Sequence, residues 1–252
     1  HREVTFTSVE FEKPYIAFKE NSILDPDTTY KTKEDFSIHV QEIALHSARI
    51  EYWDSAFCKL KSEVRSDIHI KNMALNWSVG NPMKFSFDAI AMDSSRIELP
   101  QKFYSLFVRE AKMDLIKGSL DIDSFKITPH YNKIAFGRKK GFEVDRIEGL
   151  IPFLKFSGLK FKHQDTLLVN ANRASLQMFL KIFRDKRLPF KKIEKPLPVQ
   201  FLQSLTFGLN IDTLHISKSY VEYEEYAEEA TMAGKVFFDD LQADIYNINN
   251  DV

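Results

Sequence analysis

Cysteine is nearly absent from this chain: Cys58 is the only one. That excludes an intramolecular disulfide and any cysteine metal cluster. A lone thiol is expected in the interior, where cysteine behaves as a small hydrophobe. Glycine is scarce, with 8 residues against 22 phenylalanines. So few glycines argue against a tight barrel punctuated by glycine turns. So many phenylalanines call for a wide apolar surface, because aromatics carry the largest buried area per side chain. Net charge is close to zero, at -1, which removes any global attraction to nucleic acid or anionic membrane. No stretch approaches the roughly 20 apolar residues needed to span a bilayer. The chain begins at His1 rather than at methionine, so a missing leader or anchor carries no weight.

Catalytic signatures are missing as well. There is no Gly-x-Ser-x-Gly elbow, no phosphate-binding glycine loop and no dinucleotide fingerprint. The seven histidines, His1, His39, His46, His69, His130, His163 and His215, are scattered. None forms a His-x-His pair, so surface positions are expected and no metal site is assigned. Asp121 and Asp123 share one face of a predicted strand, as a solvated pair rather than a calcium site, which needs further oxygen ligands. Asp239, Asp240 and Asp244 read the same way. Asn76-Trp77-Ser78 matches a glycosylation acceptor, but Trp77 closes a strand unit. No catalytic residue and no cofactor is expected.

What the chain does have is a repeated spacing: apolar, any, apolar, four of anything, apolar, any and usually apolar. It appears six times, starting at Ile43, Ile68, Ile90, Met113, Leu154 and Leu214. Period two is the pattern of a strand with one buried face, and its repetition points to stacked strands. The four-residue inserts are small and polar, as in His46–Arg49, Asp93–Arg96, Ile116–Ser119, Ser157–Lys160 and Ser217–Tyr220. They fit either a hairpin turn or a bulge inside one continuous, bent strand. Turn signals lie at Asp25-Pro26-Asp27, Gly80-Asn81-Pro82 and Thr128–Asn132, and a charged loop is expected at Gly137–Gly141. A short helix is expected over Pro198–Leu205. Residues 174–183 fit a strand or a helix, and the alternation of their neighbours favours a strand. The predicted fold is all-β: an elongated, curved or folded-over antiparallel sheet of repeated strand units with few short helices. Residues 1–252 read as a single elongated β-rich segment, with a proline-rich interruption near 187–199.

Two charge blocks stand apart. Residues 181–195 carry a local excess of five positive charges, and residues 222–229 an excess of five negative charges. The basic block reads either as a contact for anionic headgroups or as a solvated loop facing the acidic segment. It lacks the regular aromatic interleave of a single-stranded nucleic-acid binder, and no nucleic-acid partner is expected.

The C-terminal third carries a resemblance. The run Phe183–Phe190 is followed by Lys195–Pro198, Leu209–Ile216, Val221–Glu225, Gly234–Phe238 and Ile245–Ile248. This order resembles the AsmA-like family of large Gram-negative envelope proteins, most closely over 183–250 and more loosely over 34–180. The resemblance implies a long periplasmic β-sheet folded lengthwise into a groove. It also implies an N-terminal inner-membrane anchor outside this chain, and a part in moving phospholipid or organising the outer membrane. The family offers no catalytic residues to carry over. On this reading the chain is a non-enzymatic segment of a larger protein. Its partners are phospholipid acyl chains, other segments of the same chain and envelope proteins. Candidate acyl-chain contacts are the repeat members Ile43, Leu45, Ile90, Met92, Leu154, Phe156, Leu214 and Ile216. Candidate headgroup contacts are Lys186, Arg187, Lys191 and Lys192. A dry-core assembly scaffold, whose edge strands pair with partners, is the alternative. A β-helical carbohydrate-active enzyme is a more distant one, since a polysaccharide cleft favours exposed aromatics and only two tryptophans are present.

Overall fold

The computed structural model describes residues 2–19, 35–56, 58–78, 84–99, 102–163, 167–191, 202–203, 205 and 207–250. It is all-β with one short helix, as the alternation predicts. The expected turns at 25–27 and 80–82, and most of the expected helix at 198–205, lie outside the described residues.

The chain divides into two units. The first holds His1–Gln101 with Val108–Ile116, and the second Lys102–Phe107 with Lys117–Val252. The proline-rich stretch near 187–199 falls within the span of the second.

In the first unit, β1 (Arg2–Glu12) and β2 (Tyr15–Lys19) both pair with β3 (Phe36–Trp53). The two are one strand interrupted at Lys13-Pro14, where Lys13 takes a φ of 50° and proline cannot donate to a ladder. Next to β3 lies β4 (Leu60–Trp77), which pairs with β5 (Lys84–Ser86) and β6 (Ala89–Glu98). The strand β7 (Tyr104–Asp114) contributes residues to both units.

In the second unit, β8 (Ser119–Pro129) pairs with β9 (Arg146–Ser157), and β9 with β11 (Leu167–Asp185). Beyond β11 come β12 (Gly208–Tyr226) and β13 (Gly234–Asn249), while the short β10 (Lys160–His163) also pairs with β11. Residues 174–183 lie within β11, so the strand reading of that segment holds. Among the described residues β1–β3, β2–β3 and β11–β12 are parallel, so the expected antiparallel sheet is in fact mixed.

Both readings of the four-residue insert occur. His46–Arg49, Asp93–Arg96 and Ser217–Tyr220 stay inside β3, β6 and β12. Within each, one residue adopts positive φ: Ser47 at 52°, Ser94 at 50° and Lys218 at 40°. At Ser47 two residues of β3 oppose Asp67 of β4, and at Ser94 two residues of β6 oppose Ser66 of β4. These are bulges, which bend a strand without ending it. The residue after each is small and buried: Ala48, Ser95 and Ser219. Their polar atoms are satisfied locally. The Ser66 and Ser95 hydroxyls share a hydrogen bond of 2.7 Å, and Ser219 Oγ accepts from the Met178 N–H at 3.0 Å. The other two inserts are turns, Ile116–Ser119 between β7 and β8 and Ser157–Lys160 between β9 and β10. They contain Gly118 at φ 63° and Gly158 at φ 66°.

The stretch from 128 to 141, expected as a turn and a charged loop, instead contains the helix α1 (Lys133–Lys140). The Asn132 side chain caps it by accepting from the Ala135 N–H at 2.8 Å. Gly141 ends it in the left-handed conformation, with its N–H donating to the Gly137 carbonyl at 2.9 Å. Arg138, Lys139 and Lys140 occupy the last turn, where positive charge complements the helix dipole. Phe136, 1% exposed, is the buried anchor, its ring 5.2 Å from both Phe103 and Tyr104. The core of the second unit gathers Leu159, Ala171, Ala174 and Ile211, with Phe156, Leu214 and Ile248 packed against them. In the first unit Val40, Ile43, Ala48 and Ile68 are buried.

Candidate functional site

Residues directly opposite on paired strands share a face, so register shows where the repeat members go. In the first unit Ile43 lies beside Ile70 and Ile70 beside Ile90. Leu45 lies beside Ile68 and Ile68 beside Met92. Val9 and Phe11 of β1 extend the two rows past Ile43 and Leu45. Beyond the bulges the apolar pairing resumes as Ile16, Ile50, Val64 and Ile97. In the second unit Leu154 lies beside Ile122 and Leu176, and Leu176 beside Ile216. Phe156 lies beside Leu120 and Ala174, and Ala174 beside Leu214. The structure thus brings Ile43, Leu45, Ile90 and Met92 onto one face of the first unit. It brings Leu154, Phe156, Leu214 and Ile216 onto one face of the second.

These eight residues are not the most open part of that surface. Ile43 and Ile216 are buried, and the other six are half-buried. Phe156 and Leu214 already pack on the core of their unit. Many of the large apolar side chains left in solvent sit on the outer strands. Phe6, Phe11 and Phe18 stand in β1 and β2, and Val236, Phe238 and Ile245 in β13. Phe11, beside Leu45, is 49% exposed and Phe238, beside Val221, 58% exposed, whereas Phe6 lies beside Val40 on the other face. In sequence Phe6, Phe11, Val236, Phe238 and Ile245 read only as members of weaker copies of the spacing and not as contact candidates, because position along the strand order is set by pairing.

The opposite face of the first unit is charged, and in the second unit charge lies on both faces toward the ends of β11 and β12. In the first unit Glu51, only 3% exposed, accepts from the Tyr15 hydroxyl and the Trp53 Nε1–H, both at 2.8 Å, and from Arg49. These bonds, the tyrosine first, hold its carboxyl below the usual range. In the second unit Arg184, on the same face as Ile182 and Val221, bridges Glu143 at 2.9 Å and Asp145 at 3.5 Å. Asp185 takes both nitrogens of the Arg187 fork, at 2.8 and 2.9 Å, and is held low by that contact. Glu222 is held low by Lys235, at 2.6 Å, and then by the Tyr220 hydroxyl. Tyr223 is pushed up by burial and by its hydrogen bond to Glu225.

The candidate headgroup contacts fare unequally. Lys186 pairs with Glu225 at 2.7 Å. Arg187 is engaged by Asp185 and stacks 3.8 Å over the Tyr226 ring. Lys191 lies 4.9 Å over the Phe142 ring. Lys192 lies outside the described residues. The basic block therefore meets the acidic segment at Lys186 and Glu225, and Lys133 adds a pair to Glu224.

Cys58 corrects an expectation. It is exposed in the turn after β3, its N–H donating to the Asp54 carboxylate at 2.8 Å. Among the described residues no group of three or more His, Cys, Asp or Glu could hold a metal ion. His215 meets Asp244 at 2.7 Å, His130 the Lys102 carbonyl at 2.8 Å, and the His46 and His69 rings lie 6.1 Å apart. No helix among the described residues is long and apolar enough to cross a membrane. No family model, curated protein or solved structure matches this chain. Chemically, the arrangement offers an apolar strip for contact along the strands, backed in the first unit by a charged face.

Proposed function

We propose that this chain is a non-catalytic segment of an AsmA-like envelope protein, and that its apolar face contacts phospholipid acyl chains. The observation that supports this reading is the set of large apolar side chains left in solvent beside the half-buried repeat rows, with Phe11 next to Leu45 and Phe238 next to Val221 the clearest cases. Covering such side chains is worth about 1.5–3 kcal/mol each, and an acyl chain contributes roughly 0.8 kcal/mol per buried methylene. The contact is passive: tails lie along Phe, Ile, Leu and Met while headgroups stay in water. In the full protein this segment is periplasmic and the anchor lies in the inner membrane.

The test is native mass spectrometry of the chain purified from a bacterial host, with extraction of bound lipid. Co-purified phospholipid is expected, and Phe11→Asp with Phe238→Asp should release it while circular dichroism stays unchanged. Repeated preparations free of exchangeable phospholipid would overturn the proposal. The scaffold alternative has its own supporting observation. Among the described residues, β1 and β13 each pair on one edge only, and an open edge is a template for another strand.

A further inference from the structure

The first unit carries a second constellation, on its charged face. Register sets Arg49 of β3 directly beside Arg65 of β4, and Arg65 directly beside Arg96 of β6. Three guanidinium groups abreast on one face is an unfavourable arrangement, since like charges directly opposite repel. Glu51, Glu63 and Glu98 form a parallel row two residues further along, and they offset only part of it. Arg49 uses Nη2 for both Glu51 and Glu63, and Arg65 uses Nε for Glu63 at 2.6 Å. An arginine has five N–H donors. Nε and Nη1 of Arg49 and both Nη groups of Arg65 are therefore uncommitted among the described residues. Arg96 and the Lys13 ammonium make no ion pair there either.

Lys13, Arg49 and Arg65 border a cleft of about 670 Å³ that lies wholly within the first unit. Two acids, Asp67 and Asp93, line it as well, next to the bulge residues Ser47 and Ser94. Asp67 has one carboxylate oxygen engaged by the Ser47 N–H at 2.5 Å. The cleft is thus cationic along the arginine row and acidic along the bulge row. A bound oxyanion on the arginine side would relieve the repulsion and satisfy the open donors, and a guanidinium fork matches the geometry of phosphate. We propose that this cleft binds a phosphoryl group, either as free phosphate or as the headgroup of a phosphatidate-like lipid. The proposal stands apart from the acyl-chain reading, because it uses the other face of the sheet.

Thermal unfolding of the chain in sodium phosphate, against sodium chloride at equal ionic strength, tests it. At ten times the dissociation constant, phosphate should raise Tm by roughly 3–6 °C over chloride. Arg65→Gln should unfold in chloride close to the parent, since the lost Glu63 contact and the relieved repulsion offset each other, and should lose most of the phosphate shift; Arg96→Gln, outside the cleft lining, should keep it. Flotation with phosphatidylcholine vesicles, with and without phosphatidate, separates the sources. Phosphatidate-dependent binding that Arg65→Gln removes assigns the headgroup, and a phosphate shift without vesicle binding assigns the free ion. Equal Tm in phosphate and chloride together with no phosphatidate-dependent flotation overturns the proposal. So does a full phosphate shift in Arg65→Gln.

Discussion

The two units use one apolar spacing and bend it by different means. In the first, the inserts His46–Arg49 and Asp93–Arg96 remain strand, and the bend rests on Ser47 and Ser94 at positive φ. In the second, Ser157–Lys160 becomes a turn around Gly158, although Ser217–Tyr220 keeps the bulged form. Covering differs too. The second unit places a capped helix with buried Phe136 beside Phe103 and Tyr104. Among the described residues the first unit has no helix, and its buried apolar residues lie on its strands. An L-residue in the left-handed region costs about 1–2 kcal/mol. A bulge can carry that cost at Ser47 because Asp67 of the partner strand accepts from the Ser47 N–H at 2.5 Å, whereas the turns at Gly118 and Gly158 use glycine.

The largest effect should come from what the second unit alone possesses. Phe136→Ala removes the anchor of α1 and should cost about 3–5 kcal/mol, measured by urea unfolding. A loss below about 1 kcal/mol would show that the helix is dispensable to that unit. The glycine turns come next. At Gly118 an added Cβ would lie 2.8 Å from the Leu159 carbonyl oxygen, a backbone atom that cannot swing aside, and φ is already positive. Gly118→Ala should therefore cost roughly 2–3 kcal/mol. At Gly141 a Cβ meets nothing within 4 Å, so only backbone strain remains, and Gly141→Ala should cost about 1 kcal/mol. Equal losses at the two glycines would refute the steric part of this account.

Acid should separate the units more gently. Glu51 in the first unit, and Asp185 and Glu222 in the second, all titrate below their ordinary range when folded. The unfolded chain binds those protons more readily, so the stability they add is present above the ordinary carboxylate pKa and is lost as pH falls through the folded values. Urea midpoints should fall as pH drops below about 4.5. Asp185→Asn with Glu222→Gln should flatten that dependence more than Glu51→Gln does. The smallest effect belongs to the bulges. Ser94→Gly relieves the strain of positive φ but loosens the unfolded chain, and the two terms nearly cancel, leaving a change within about 0.5 kcal/mol. A large loss would mean that the Ser94 side chain holds the bend.

Much of the fold was legible in order and type. Alternation marked the strands, including 174–183, where a helix face fitted equally well. The helix α1 escaped because its apolar content is essentially Phe136 with Ile134 and Ala135, too little for a stripe. Its caps, Asn132 and Gly141, were visible signals that were read as a turn and a loop. The exposed position of Cys58 was not legible, since it follows from where β3 ends. For the candidate surface, the spacing grouped Ile43 with Leu45 and Ile90 with Met92. Only the ladder shows that these pairs adjoin through Ile68 and Ile70.

By itself, the sequence determined that this protein builds strands with one apolar and one polar face. Side-chain alternation is a local property of an extended backbone and needs no partner. The tertiary structure alone decided which inserts bulge and which turn, which apolar residues stay in solvent, and that Arg49, Arg65 and Arg96 stand abreast. Each of these depends on strand pairing between residues far apart in the chain, and a one-residue change in register would reverse the face on which they lie.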